Sequence, residues 1–133
     1  LYGYDGLCKN VHGHSYKLAV TIIGQPISEA KHVKLGMVMD FGDLKKIVEE
    51  SIVNRFDHAT VLNNNSPHKE LADIMEQQGH KVLRVPYQPT SESMIIDFAT
   101  RIKALLPAHL RLHHLILRET DTAYASWFAD DNS

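Results

Sequence analysis

Only one cysteine, Cys8, occurs in the 133 residues, so no disulfide can close within the chain. No apolar run reaches the roughly 18 residues that a membrane-spanning helix needs, and no charged, apolar and small-residue succession reads as a secretory signal. A reducing, cytoplasmic setting without a membrane is the expectation. An excess of one charge is also missing: 14 Lys and Arg stand against 16 Asp and Glu, a formal net charge of -2. Without a basic stripe to track a phosphate backbone, nucleic acid is not an expected partner. Internal repeats, low-complexity runs and interdomain linkers are lacking as well. The length fits one domain, large enough to bury a core without staples.

What the chain has in abundance is histidine, nine in all. Imidazole serves both proton transfer and metal binding near neutral pH, so placement decides between these uses.

Hydrophobic periodicity supplies the elements. From His14 to Ile23, Tyr16, Leu18, Val20 and Ile22 alternate with Ser15, Lys17, Ala19 and Thr21, the period-2 pattern of a half-buried strand ending at Gly24. KLGMVMDF reads as a short extended piece leading into a helix from about Gly42 to Asn54, with Leu44, Ile47, Val48 and Ile52 on one face. DHATVLNNN reads as a loop. Ser66-Pro67 opens a second helix to Gln78, stopped by Gly79, and Lys81 to Val85 forms a brief strand. The hydroxyls of PTSES cap a third helix, Glu92 to Leu106, buried through Met94, Ile95, Phe98, Ile102 and Leu105 and ended by Pro107. Leu112 to Glu119 and Ala123 to Phe128 form an antiparallel pair around Thr120-Asp121-Thr122. The class is α+β, with helices on one face of an antiparallel sheet and the other face needing a cover that oligomerisation could supply.

Five constellations carry possible chemistry. His12-Gly13-His14 stands at the start of the first strand, where residues two apart project to one face and two imidazoles can converge on a cation such as zinc. Gly13 would permit close backbone approach. A bare HxH, however, is more often two surface or half-buried histidines. Cys8, four residues earlier, could be a ligand or, as a thiolate favoured by a nearby cation, a base; alone it reads better as an inert thiol. In Asp57-His58 the acid could orient the ring and stabilise its protonated form, or could simply cap a loop. Glu119 ends an apolar strand where a carboxylate needs a partner, either two parallel N–H donors of a ligand or a cation such as Arg118. Pro89-Thr90-Ser91-Glu92 is first a helix start, whose free N–H groups and hydroxyls could also meet a polar ligand. His32, His68, His80, His109, His113 and His114 read as structural or surface residues.

In order and spacing, CKNVHGHSYKL, LGMVMDFGDLKK, FDHATVLN, QPTSES and LRETDTAY resemble the 6-pyruvoyltetrahydropterin and 6-carboxytetrahydropterin synthase family over nearly the whole chain. That resemblance implies His12 and His14 as zinc ligands, Cys8 as the proton-abstracting base, Asp57 and His58 as a proton relay, and Glu119 as the pterin anchor. Thr90 and Glu92 would line the pterin pocket. The three-residue gap between Cys8 and His12 is similar to the bacterial carboxy-forming branch. It implies conversion of 7,8-dihydroneopterin triphosphate to 6-carboxytetrahydropterin in queuosine biosynthesis, with the pyruvoyl-forming reaction as alternative and a non-catalytic pterin- or metal-binding oligomer as another. Also implied are the tunnelling fold, a subunit barrel assembled as a homohexamer (a dimer of trimers), and a third zinc histidine on a strand preceding Leu1. Ser93 departs from the pattern, standing where the family commonly has Asn.

Overall fold

Alternation of Leu18, Val20 and Ile22 with exposed neighbours gives strand β1 (Lys17–Ile23) one half-buried face. The computed structural model describes residues 1–3, 6 and 12–132. In it β1 begins three residues later than its alternation predicts, so His12 to Tyr16 form a lead-in rather than part of the ladder. β1 pairs antiparallel with β4 (Arg111–Arg118), which pairs antiparallel with β5 (Tyr124–Phe128). The register shifts between Thr21 and Ile22, leaving His113 as the extra residue opposite them. At the end of β1, a Cβ on Gly24 would lie 2.4 Å from Leu110 Cδ2 and 3.0 Å from Val38 Cγ1, so a larger residue would displace that packing.

The segment between β1 and the first helix is not the extended piece the sequence suggested. It turns back on itself, with Ile27 N donating to Met37 O at 2.9 Å and Gly36 N to Ile27 O at 2.8 Å. Gly36, at φ 84°, makes that turn possible. Asp40 then caps α1 (Phe41–Val48) by accepting from Gly42 N at 2.8 Å. The helix runs on through a π-helical stretch, Glu49–Val53, into α2 (Asn54–Phe56). Ser51, buried, donates to Ile47 O at 2.6 Å there.

DHATVLNNN, whose pattern predicts a loop, contains a strand. β2 (Thr60–Asn63) pairs in parallel with β3 (Val82–Val85), and α3 (His68–Gln77) is the crossover between them. Four residues show too little alternation to be recognised, and the partner becomes adjacent only through the intervening helix. The fold therefore has a second, two-stranded parallel sheet beside the antiparallel one.

Helix α4 (Ser91–Leu105) is capped by Thr90, whose hydroxyl accepts from Ser93 N at 3.1 Å. Met94, Ile95, Phe98, Ala99 and Ile102 pack on Leu112, Leu115, Leu117 and Trp127 of the antiparallel sheet. Each of the Leu, Ile, Met and Phe side chains removed from water contributes roughly 1.5–3 kcal/mol. Leu105, predicted to be buried, is exposed, because the helix ends there and Leu106 turns into the core instead. The helices lie on the face presented by Leu115 and Leu117. The opposite face, with Thr21, His114, Ile116, Tyr124 and Phe128, has no covering element among the described residues.

Candidate active site

A cavity of about 980 Å³ opens where the N-terminal lead-in, the end of β4, the start of α4 and the α2–β2 turn converge. Its walls include His12, His14, Asp57, His58, Thr90, Glu92 and Glu119. Seven of the eight site residues proposed from sequence thus share one cavity of a single chain. The eighth, Cys8, lies outside the described residues.

The lead-in brings the rings of His12 and His14 to 4.8 Å between centroids, perpendicular to one another. Tyr16 follows, 5.8 Å from His14 in the same sense. Glu119 reaches this row because β1 and β4 are adjacent and its backbone, just past β4, is pinned by donation to Ala123 O at 2.9 Å. One carboxylate oxygen, Oε1, collects Tyr16 Oη at 3.4 Å, Ser91 Oγ at 3.4 Å and His14 Nε2 at 3.9 Å. The carboxylate is partly sheltered, 31% exposed, and its partners are uncharged hydroxyls and an imidazole rather than Arg118. Arg118, on the opposite face of the strand, lies over the ring of Tyr124 at 4.7 Å. Glu119 therefore keeps its capacity to accept donors from a ligand.

His14 Nε2 is buried without a hydrogen-bond partner among the described residues. Such an orphaned nitrogen is costly, and a neutral imidazole nitrogen beside a second imidazole has the donor chemistry that zinc takes. The pair fits a metal to that extent. Among the described residues no group of three or more His, Cys, Asp or Glu side chains is placed to hold an ion. Among the described residues, a Cβ added at Gly13 would meet nothing within 4 Å.

Across the cavity, Asp57 Oδ1 and His58 Nδ1 are 2.9 Å apart, both well exposed. Adjacent side chains on a regular element would diverge. Here the backbone passes from Asp57, with ψ 129°, into His58 at φ 58°, the left-handed region, and that turn folds the ring back on the carboxylate. Thr90 is both the cap of α4 and a wall of the cavity, while Glu92, exposed, stands in the helix's first turn.

Three contributions are not foreseen from the sequence: Tyr16, His68 and the contact that Ser91 makes. Ser91, buried, sits between Thr90 and Glu92 and touches Glu119, a contact that the sequence pattern of a helix start does not foresee. His68, read as structural, lines the cavity and makes an edge contact with the ring of Tyr2 at 5.2 Å. No helix is long and apolar enough to cross a membrane among the described residues.

An α+β domain with paired imidazoles, a ligand-ready carboxylate and an Asp–His pair around one cavity has the build of a small-molecule enzyme. Comparison with known proteins makes this specific. Residues 1–130 match the family described as 6-pyruvoyl tetrahydropterin synthase, and the chain belongs to that family, whose members are lyases. A protein of Haemophilus influenzae named 6-carboxy-5,6,7,8-tetrahydropterin synthase is 34% identical over 126 residues, covering 94% of this chain and 86% of that one. A protein of the same name from Aquifex aeolicus is 32% identical over 127 residues, covering 90% and 75%. In fold, the chain is similar to the crystal structure of an uncharacterized protein from Wolinella succinogenes, with a TM-score of 0.71 at 19% identity, covering 91% of this chain and 80% of that one.

Proposed function

We propose that the chain converts 7,8-dihydroneopterin triphosphate and one water molecule to 6-carboxy-5,6,7,8-tetrahydropterin with release of acetaldehyde and triphosphate, a step serving queuosine biosynthesis. The observation that carries the reading is the convergence of His14, Tyr16 and Ser91 on Glu119 in a cavity that also holds Asp57-His58. Two relatives bearing the carboxy-forming name, each matching at least 90% of the chain, support the product.

His12 and His14 would hold a zinc ion. When bound, zinc supplies Lewis-acid polarisation of side-chain oxygens and so acidifies the neighbouring C–H. The chain's own groups account for the rest. Glu119 accepts the two parallel N–H donors of the pterin's amino-pyrimidinone edge, and Tyr16 and Ser91 fix its rotamer so that the ring is presented in one orientation. Thr90 and Glu92 border that pocket. Cys8 thiolate takes the proton from the side chain, and His58, oriented by Asp57, delivers and removes protons as ring and side chain change.

The family's own description favours a second reading, loss of triphosphate to give a pyruvoyl product. Incubation with dihydroneopterin triphosphate and zinc separates the two. Acetaldehyde and the carboxypterin are expected, and a pyruvoylpterin without acetaldehyde would replace the first reading with the second. We also place the active form as a homohexamer, a dimer of trimers joined through the antiparallel sheets.

A further inference from the structure

We infer that Lys81 is the positioning residue of the Asp57-His58 pair; this rests on the reading above that the pair moves protons. The peptide joining Asp57 to His58 sets both ψ of the acid and φ of the histidine. Its carbonyl, Asp57 O, accepts from Lys81 Nζ at 2.7 Å. The same ammonium donates to Asn54 O at 2.9 Å, a carbonyl left open where α2 ends. Both bonds are charge-assisted and short, and together they fix the plane of that peptide relative to the helix.

The far side of the turn is held by the same residue. Lys81 O accepts from Thr60 N at 3.0 Å, just before the β2–β3 pairing starts at Thr60 and Val82. Lys81 thus clasps both flanks of Asp57-His58, one with its side chain and one with its backbone. Within the turn, Ala59 N donates to Phe56 O at 3.1 Å. A non-glycine residue seldom holds φ near +58° unless its surroundings impose it, and the clasp is what imposes it at His58. The ammonium also suits the helix C-terminus, whose partial charge is negative. Stability alone would explain a cation there. It would not explain why the second, shorter bond goes to the peptide inside the Asp–His pair.

The test uses the whole chain with zinc and dihydroneopterin triphosphate, comparing Lys81→Met, Lys81→Gln and Lys81→Arg at a temperature where circular dichroism shows all of them folded. Lys81→Met and Lys81→Gln are expected to lower kcat about tenfold with KM within about twofold, while Lys81→Arg, which keeps charge and donors, recovers most of the loss. In a His58→Ala background the Lys81→Met change should shrink to less than about twofold, because residues acting as one unit are not additive. In the absence of substrate, the His58 ring resonances should shift in Lys81→Met and Lys81→Gln. Full kcat in both variants, an undiminished loss in the His58→Ala background, or unmoved His58 resonances would each overturn the proposal. Full kcat in His58→Ala itself would instead remove the relay reading on which it rests.

Discussion

At the scale of single residues, Glu119 is the most informative side chain. It is sheltered, yet its neighbours are hydroxyls and an imidazole instead of a cation, so a ligand with two N–H donors gains the full pairing. Glu119→Gln turns one acceptor into a donor facing a donor. Pterin affinity measured by titration calorimetry should fall by roughly 10- to 100-fold, about 1–3 kcal/mol, and unchanged affinity would count against the anchor role. For the lead-in histidines, elemental analysis should find that His12→Ala loses zinc. Cys8→Ala, by contrast, should retain zinc and pterin while scarcely turning over; normal turnover would remove the base assignment. Legibility differed among these residues. His12, His14, Asp57, His58 and Glu119 were readable because each sits in a short motif, in the family's order. Tyr16 and Ser91 were not, because their contact with Glu119 depends on β1, β4 and α4 meeting in space, and no local pattern encodes that meeting.

At the scale of elements, periodicity revealed what was long and one-sided. The apolar stripe of α4 predicted Met94, Ile95, Phe98 and Ile102 in the core, as far as the helix end, where Leu106 took the inward place given to Leu105, while the alternating face of β1 is half-buried. β2 escaped because four residues are too few to show a period and its pairing is parallel. The join between the β3–α4 loop and α4 offers a test of its own. Tyr87 Oη donates to Asp97 Oδ2 at 2.5 Å, and Asp97 also accepts from Arg101. Burial first, and the bond to the carboxylate next, push the Tyr87 phenol above its ordinary value near 10. A group whose pKa is raised by folding stabilises the native state fully below its unfolded pKa and loses that contribution as pH rises toward the folded one. Thermal stability should therefore decline above about pH 10, and Tyr87→Phe should flatten that part of the curve. An identical decline in Tyr87→Phe would assign the effect to other groups.

At the scale of the whole molecule, the helices shield one sheet face and leave Ile23, Tyr124 and Phe128 exposed on the other, among the described residues. Joining sheets edge to edge into a barrel would cover this face, and light scattering of the purified chain should give six times the mass of one subunit. A monomeric mass with full activity would dismiss the barrel as a requirement. That one sheet face would be left without helices was legible from the order of the elements, helices gathered between antiparallel strands. The small parallel sheet that walls the cavity beside Asp57-His58 was not. One consequence of pairing β1 with β4 concerns time rather than shape. Tyr16 and Glu119 are 103 residues apart in the chain, and closing so long a loop delays contacts that local helices make early. Glu119 and the histidine row are strangers until nearly the entire chain has folded between them. In refolding from denaturant, helical signal should thus recover ahead of pterin binding, and the first appearance of affinity should mark the last long-range closure.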